Sequence, residues 1–353
     1  MPKAQEKENM REALRRIAKA KKSNSESLDL SRLNLTSIPH ECWELSNLIH
    51  LYIYDNYLTE IPPEIGKLTN LTLLSIGGNQ LTQLPPEIGK LSNLTGLYNR
   101  DNQLTEFPSE IGKLSNLTTL YAFGNQLTEL PPEIGKLSNL TVLHIASNQL
   151  TELPPEIGNL SNLTVFSISV NQLTELPPEI GKLSNLTELY ISGNQLTELP
   201  PEIGKLSNLT WLEISGNQLT ELPPEIGKLS NLTRLDISGN QLAELPREIV
   251  KLSNLTKLHL HGNPLKLPPM AVCNEGINAI RAYFANRTTT GESKRYEAKL
   301  MLVGEGSVGK TCLSKAMRGL KPDARENRTL GILIDEWTIV HPDEPDTEMV
   351  LNI

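Results

Sequence analysis

The chain of 353 residues is poor in aromatic side chains and in cysteine. Phe, Trp and Tyr together make up 4% of it, and the three cysteines are Cys42, Cys273 and Cys312. These cysteines are too few and too scattered for a disulfide scaffold or a zinc site. We therefore expect the protein to reside in a reducing compartment. No apolar run reaches the roughly 18 residues of a membrane span, and no signal peptide is visible. The sequence therefore predicts a cytoplasmic protein with no membrane span.

The chain also lacks the basic surface that nucleic-acid binding requires. Its formal net charge is −8. The first 22 residues are an exception, because they contain eight Lys or Arg and only three Glu. The rest is therefore strongly acidic, which argues against a nucleic-acid partner. Residues 1–24 are predicted to form an N-terminal helical cap, because apolar side chains recur at helical spacing: Met10, Ala13, Leu14, Ile17 and Ala18. A basic helix that contacts membranes or partners is the alternative.

What the sequence has in abundance is leucine in a strict repeat of 23 residues. The period is marked by one asparagine column: Asn56, Asn79, Asn102, Asn125, Asn148, Asn171, Asn194, Asn217, Asn240 and Asn263. One copy of the frame comprises Leu186, Leu189, Ile191, Asn194, Leu196 and Leu199 followed by Pro200. This pattern resembles the leucine-rich repeat family over residues 25–270. The many Asn-x-Thr sequons, such as that at Asn139, are interpreted as a by-product of the repeat.

The predicted fold is α/β: a leucine-rich-repeat solenoid with a parallel β-sheet on the concave face and an irregular convex side. The alternating Leu-x-Leu is a short strand with leucines inward, and eleven 23-residue units fill 25–270. The asparagine column is expected to satisfy buried backbone groups where the chain leaves the sheet. Pro-Pro pairs, such as Pro200-Pro201, exclude a full helix on the convex side. A C-terminal capping helix is predicted at 271–286 and a polar linker at 287–295.

The copies differ mainly on the strands, at positions that alternate with the inward leucines. Seven of the fifteen aromatic residues lie there, which favours a protein-binding surface over large side chains that merely fill the inner curve. The predicted partner-binding residues are Tyr52, Tyr54, Tyr98, Arg100, Tyr121, Phe123, Tyr190, Trp211, Glu213, Asp236, His259 and His261. A metal site at the last four is a weaker alternative to a solvated polar stripe. Asn99 replaces an inward Ile or Leu, so we expect a local irregularity or an added hydrogen bond there.

A phosphate-binding motif follows the repeats, in a strand–loop–helix context. Residues 298–303 are an apolar run, and the glycine loop that follows them is expected to curl its N–H groups around phosphates. The predicted nucleotide-binding residues are Gly304, Gly306, Ser307, Val308, Gly309, Lys310, Thr311 and Cys312. Lys310 would hold the β- and γ-phosphates, and Thr311 would contact Mg²⁺ through its hydroxyl. An ATP-using enzyme stays possible, because this loop does not recognise the base.

The segments 328–337 and 349–353 resemble the first switch and the following strand of the Roc GTPase domain of Roco proteins, in which leucine-rich repeats come first. The resemblance implies GTP/GDP and Mg²⁺ as cofactors and a Mg²⁺-contacting role for Thr329, whose alternative is an ordinary loop residue. Residues 296–353 would be the N-terminal part of a Roc-like domain, incomplete because the D-x-x-G and N-K-x-D motifs are missing. We expect weak or no nucleotide binding by this chain.

Two functional hypotheses follow. In the first, the chain is the N-terminal fragment of a Roco protein, in which a protein-binding scaffold is coupled to a GTP-dependent signalling switch and downstream domains allow dimerisation. GTP hydrolysis is then expected of the intact parent protein and not of this chain. In the second, the chain is a pure protein-interaction solenoid whose phosphate loop is non-functional. A downstream reading frame that contains both missing GTPase motifs would favour the first hypothesis.

Overall fold

The computed structural model describes residues 3–289, 296–299, 336–340 and 348–352. The chain divides into two compact units, Met1–Ala282 and Tyr283–Ile353, and each unit is described by itself. Among the described residues, no helix is both long enough and apolar enough to cross a membrane.

The first unit begins with helix α1 (Lys3–Ser23). Its inner side consists of Ala13, Ile17 and Ala20, which are all buried. The spacing of four and then three residues places these side chains on one face of a helix. The prediction that Leu14 and Ala18 belong to this apolar side was wrong, because both side chains are exposed. Lys21 forms an ion pair with Glu44 of the first coil, in which Nζ lies 2.8 Å from Oε2.

Eleven three-residue strands form one parallel sheet in which the spatial order is the chain order. They are β1 (Ser27–Asp29), β2 (His50–Tyr52), β3 (Leu73–Ser75), β4 (Gly96–Tyr98), β5 (Thr119–Tyr121), β6 (Val142–His144), β7 (Val165–Ser167), β8 (Glu188–Tyr190), β9 (Trp211–Glu213), β10 (Arg234–Asp236) and β11 (Lys257–His259). Each residue pairs with the residue 23 positions later, as Leu189 does with Leu212. The predicted solenoid with an eleven-stranded parallel sheet is therefore confirmed.

The core is a stack of aliphatic side chains inside the coils. The middle residue of each strand points inward, and Leu143, Phe166 and Leu189 are fully buried. Burying one leucine contributes roughly 2 kcal/mol, and the stack repeats this gain in every coil. The opposite side of the coils consists of five-residue 3₁₀ turns, the first at His40–Glu44 and the last at Arg247–Lys251. A proline precedes each turn in an extended conformation, which limits the convex side to one tight turn per coil.

Most 3₁₀ turns of adjacent coils pack so closely that only glycine fits between them. A Cβ atom added to Gly135 would lie 2.5 Å from the backbone oxygen of Glu156 in the next turn. Such a contact is too short for any side chain, so glycine is required in the turns from Pro86–Lys90 to Pro224–Lys228. In the first turn, His40–Glu44, Trp43 occupies the same position. Val250 occupies the same position in the last of these turns. The close packing of the turns therefore explains why the convex side varies so little.

The asparagine column confirms the predicted structural role. The side chain of Asn148 accepts a hydrogen bond from the backbone N–H of Leu127 at 3.0 Å. Its Nδ2 donates to the backbone oxygens of Ala122, Ile145 and Ala146 at 3.0 to 3.2 Å. One buried amide thus links two coils at the point where the backbone turns away from the sheet. The bond that Oδ1 accepts and the Nδ2 bonds to the residues 26 and three positions earlier recur at each of the ten asparagines, as at Asn217.

The expectation for Asn99 is wrong. Strand β4 pairs regularly with β5, and the backbone N–H of Asn99 donates to the oxygen of Tyr121 at 2.8 Å. The side chain is fully buried, and neither Oδ1 nor Nδ2 has a hydrogen-bond partner in the part of the chain that the structure describes. The regular backbone pairing outweighs the cost of one unsatisfied amide, because adjoining coils hold the strand in register on both sides.

The repeats are followed by two helices in place of the single predicted capping helix. Helix α2 spans Met270–Asn274 and helix α3 spans Ile277–Thr289. Gly276, with φ of +92°, separates them, since this backbone conformation interrupts a right-handed helix and favours glycine. Helix α3 therefore continues into the first part of the predicted linker. Within the first unit, Ile280 is buried and Arg281 donates to the backbone oxygen of Leu252 at 2.5 Å.

The second unit contains three described strands. Strand β12 (Tyr296–Lys299) pairs in parallel with β14 (Glu348–Asn352), and β13 (Glu336–Val340) pairs antiparallel with β14. The spatial order is β12-β14-β13. The predicted strand at 349–353 corresponds to β14, and the predicted strand at 298–303 overlaps the end of β12. The residues between these strands lie outside the described part of the chain.

Candidate functional site: the concave sheet face

The candidate site is the face of the long sheet that points away from the leucine core. Each coil contributes three side chains: the first and third strand residues and the residue two positions after the strand. In the coil of β8 these are Glu188, Tyr190 and Ser192. Parallel pairing in register places corresponding residues of adjacent coils side by side. The sheet thus converts a period of 23 residues into continuous columns of surface side chains.

The first concentration of rings, which we name the aromatic cluster, lies on β4 to β6. Its members are Tyr98, Arg100, Tyr121, Phe123 and His144. The rings of Tyr98 and Tyr121 stack, with centroids 5.3 Å apart. Phe123 and His144 lie 4.8 Å apart, and His144 meets the ring of Tyr121 nearly edge-on at 5.6 Å. Arg100 lies 5.9 Å from the centroid of Phe123 and forms an ion pair with Asp101.

The second concentration, which we name the charged cluster, lies on β8 to β10. Its members are Glu188, Tyr190, Trp211, Glu213, Arg234 and Asp236. The rings of Tyr190 and Trp211 meet edge-on at 5.0 Å, and the Arg234 guanidinium lies 4.8 Å from the centroid of Trp211. Tyr190 donates its hydroxyl proton to Oε2 of Glu188 at 2.6 Å. This cluster has three carboxylates and one guanidinium, so it differs from the aromatic cluster in charge.

The hydrogen bonds of the charged cluster affect ionisation. Burial and the bond to Glu188 raise the pKa of the Tyr190 hydroxyl, so this group stays protonated at neutral pH. Burial raises the pKa of Asp236, but hydrogen bonds from Ser238 and His259 outweigh it and hold the pKa below its usual value. Nδ1 of His259 lies 3.1 Å from Oδ2 of Asp236. In the aromatic cluster, burial lowers the pKa of His144, so its ring is neutral at pH 7.

The two clusters are separated by the coil of β7, which presents small side chains. Its three positions hold Val165, Ser167 and Ser169, and the next residue is Val170. Val170 has φ of +56° and is 57% exposed. A β-branched residue in this conformation is strained, and corresponding positions in six other coils hold glycine with positive φ, as at Gly193. Sequence reasoning missed Val170, although "SVNQL" in place of "SGNQL" was a visible signal.

The structure brings most of the predicted partner-binding residues together on this face. Tyr52 and Tyr54 lie on the coil of β2, apart from both clusters, and Arg32 lies 5.4 Å from the centroid of Tyr54. His259 and His261 lie at the exposed end of the sheet. Among the described residues, no group of three or more His, Cys, Asp or Glu is placed to hold a metal ion. The predicted metal alternative therefore finds no support in the geometry.

The predicted nucleotide site cannot be described in the same way. Gly304, Gly306, Ser307, Val308, Gly309, Lys310, Thr311, Cys312 and Thr329 lie outside the described residues. The proposed contacts of Thr311 and Thr329 with Mg²⁺ lie outside them as well. These residues stay predictions from the sequence.

A long polar groove runs beside the concave face and has a structural explanation. Columns of asparagine and threonine line it, as Asn139 and Thr141 do in the coil of β6. Nδ2 of Asn139 donates to the backbone oxygen of Ser115 at 2.8 Å, and Oγ1 of Thr141 donates to that of Thr118 at 2.9 Å. These groups connect successive coils along the edge of the sheet. The sequons of the repeat are thus explained by coil-to-coil hydrogen bonds.

The repeats match two known families of leucine-rich repeats. The chain matches the family described as "Leucine-rich repeat region" over residues 96–172 and 201–274. It also matches the family described as "Leucine Rich repeats (2 copies)" over residues 46–93 and 161–202. A protein of Dictyostelium discoideum described as "Probable serine/threonine-protein kinase pats1" is 36% identical over 77 residues, which are 21% of this chain and 2% of that protein.

Solved structures share the fold. A "TDR receptor" is 37% identical with a TM-score of 0.63, and the match covers 68% of this chain and 43% of that one. The ectodomain of the receptor kinase GASSHO1/SCHENGEN3 from Arabidopsis thaliana is 33% identical with a TM-score of 0.56. That match covers 68% of this chain and 33% of the ectodomain, whose structure is a complex with CASPARIAN STRIP INTEGRITY FACTOR 2. The chain thus spans less than half the length of each of these relatives.

Proposed function

Because the chain belongs to the leucine-rich repeat proteins, we propose that it is an interaction scaffold that binds a polypeptide partner on its concave face. The observation that carries this proposal is the contrast between the two sides of the coils. The convex sequence "PPEIGKLSNLT" recurs unchanged in five coils, whereas the sheet positions differ from coil to coil and carry half-buried rings. Partly exposed Tyr and Trp beside Arg are typical of binding surfaces. The structure of the related GASSHO1/SCHENGEN3 ectodomain is a complex with CASPARIAN STRIP INTEGRITY FACTOR 2.

The alternative, that the large aromatic side chains only fill space on the concave side of the sheet, fits the structure less well. The coil of β7 has no aromatic ring on its sheet face, yet β7 pairs with both neighbours in the same register as the other strands. The rings are therefore not needed to form the sheet. Their grouping into an aromatic and a charged cluster on either side of β7 supports recognition of a partner.

Peptide selection on the full chain tests the proposal. We expect the immobilised protein to enrich binders from a random dodecapeptide display library. Trp211→Ala should weaken binding of a selected peptide at least tenfold, because an aromatic anchor is lost, without changing the thermal unfolding midpoint. Binding would be measured by fluorescence anisotropy with a labelled copy of the peptide. Tyr57→Ala is the matched control, since Tyr57 is 44% exposed and lies outside both clusters. Failure to enrich any peptide would refute the scaffold proposal.

A second candidate function is binding of a guanine nucleotide with Mg²⁺ by residues 302–312. The glycine loop with Lys310 and Thr311, and the likeness of 328–337 to a Roc switch, support it. GTP-dependent signalling by a Roco-type parent protein and a cytoplasmic location belong to the same proposal.

Calorimetric titration of GDP with Mg²⁺ tests the nucleotide proposal. Since the affinity of this chain is expected to be weak, the informative comparison is between wild type and Lys310→Ala. Any binding heat of the wild type should disappear in the variant, because the lysine holds the phosphates. Lys299→Ala, which changes a lysine outside the motif, serves as the control. Binding that survives Lys310→Ala would show that the motif is not the nucleotide site.

A further inference from the structure

The inference concerns the chemistry of the partner and rests on the proposed function. The aromatic cluster is centred on β5 and the charged cluster on β9, four strands apart along the sheet. Since neighbouring strands lie about 4.8 Å apart, the two centres are separated by about 19 Å. An extended polypeptide advances about 3.3 Å per residue, so about six residues would connect them. One extended segment can therefore contact both clusters across the small side chains of β7.

The two clusters offer different chemistry to such a segment. Strands β4, β5 and β6 contain no carboxylate. The one cation of the aromatic cluster, Arg100, already forms an ion pair with Asp101. The surface there is mainly ring faces, which suit an apolar or aromatic side chain. The charged cluster presents Glu188, Glu213 and Asp236 beside the rings of Tyr190 and Trp211.

Glu213 differs from the other two carboxylates of the charged cluster. Glu188 accepts the hydroxyl proton of Tyr190, and Asp236 is bonded by Ser238 and His259. Glu213 has neither a hydrogen bond nor an ion pair from its side chain among the residues that the structure describes. It is half-buried, and the in-register neighbours of its backbone are Tyr190 and Asp236.

A half-buried carboxylate beside a second carboxylate is electrostatically unfavourable. A cation from outside the chain would relieve the repulsion. The ring of Tyr190 beside it would also favour a cation. Arg234 does not fill this role, because its guanidinium lies over Trp211.

We propose that the concave face binds one extended polypeptide segment with an apolar or aromatic side chain on the aromatic cluster and a lysine or arginine against Glu213, about six residues apart. The partner is thus a basic-aromatic peptide segment. The acidic character of the charged cluster disfavours an acidic segment or a nucleic acid at the same place. Exposed Val170 lies beside the path between the two contacts.

The dodecapeptide selection gives the first test on the full chain. Enriched sequences should contain Phe, Tyr, Trp, Leu or Met about six positions from a Lys or Arg, in either chain direction. Enriched peptides that depend on Trp211 but lack this pairing would overturn the inference and leave the scaffold proposal standing. Enrichment of acidic peptides would overturn it as well. Absence of any enrichment would refute the scaffold proposal, and this inference with it.

A charge-neutral variant gives the second test. Glu213→Gln should weaken the anisotropy Kd of an enriched peptide about fivefold, and replacing the basic residue of the peptide with Gln should cause a similar loss. The two changes together should cost little more than one, because they remove the same contact. Glu221→Gln is the matched control: it makes the same change in the same coil, at an exposed residue off the sheet face. Equal weakening by both variants would indicate a general charge effect and overturn the inference.

Discussion

Replacing Asn148 with alanine is expected to lower the free energy of unfolding by about 3 kcal/mol. The variant leaves the buried N–H of Leu127 unpaired, which costs about 1–3 kcal/mol, and also loses the three hydrogen bonds donated by Nδ2. The loss is limited because the backbone oxygens of Ala122 and Ile145 also accept hydrogen bonds from the neighbouring asparagines of the column. Urea denaturation at 25 °C, followed by circular dichroism, measures the change.

Asn139→Ala in the same coil is the matched control for this prediction. Its Nδ2 donates one hydrogen bond, to the backbone oxygen of Ser115, at an exposed position. Water can replace that bond, so the expected loss is under about 1 kcal/mol. Equal losses for the two variants would contradict the assignment of the structural role to the buried column.

Replacing Asn99 with isoleucine is expected to raise the free energy of unfolding by about 2 kcal/mol. Both polar side-chain atoms of Asn99 are buried and have no hydrogen-bond partner among the described residues. Replacing such a group with an apolar one removes its desolvation cost. Adjoining coils have Ile76 and Ala122 at this position, and the small Ala122 leaves room for the larger side chain. The backbone bond from Asn99 to Tyr121 is unchanged by the substitution.

The reverse change at an equivalent position completes this experiment. Ile145→Asn should lower the free energy of unfolding by about 3 kcal/mol, because it buries an amide where a fully buried aliphatic side chain now lies. Both variants would be compared by urea denaturation. A destabilising Asn99→Ile would mean that the amide has a partner, such as a bound water molecule.

These two predictions differ in sign although both concern a buried asparagine. The side chain of Asn148 satisfies the buried N–H of Leu127, which has no other partner among the described residues, whereas the side chain of Asn99 satisfies no backbone group there. A solenoid is held together by contacts between neighbouring coils, so an unsatisfied group weakens the stack locally. The coil of β4 is thus expected to be locally less stable than the other coils. The stacked rings of Tyr98 on β4 and Tyr121 on β5 lie beside it.

The architecture could be predicted from the sequence because every coil repeats the same local interactions. The 23-residue period determines which leucines are inward, where the buried asparagine lies and which positions reach the sheet face. The end of the repeats was less predictable, because a single glycine, Gly276, divides the expected helix. At the N-terminal helix the period gives no guidance, and Leu14 was assigned to the wrong side.

The sequence by itself determined the coil, its period and the set of side chains on the concave face. Only the tertiary structure decided which of these side chains meet. The Tyr190 hydroxyl donates a hydrogen bond to Glu188, and His259 is hydrogen-bonded to Asp236. The side chain of Glu213 has no partner among the described residues. The physical reason is that the backbone of a coil follows from local hydrogen bonds and packing that recur every 23 residues. The side-chain contacts depend on residues that differ from coil to coil, both within one strand and between adjacent coils, and on the rotamers that their packing permits.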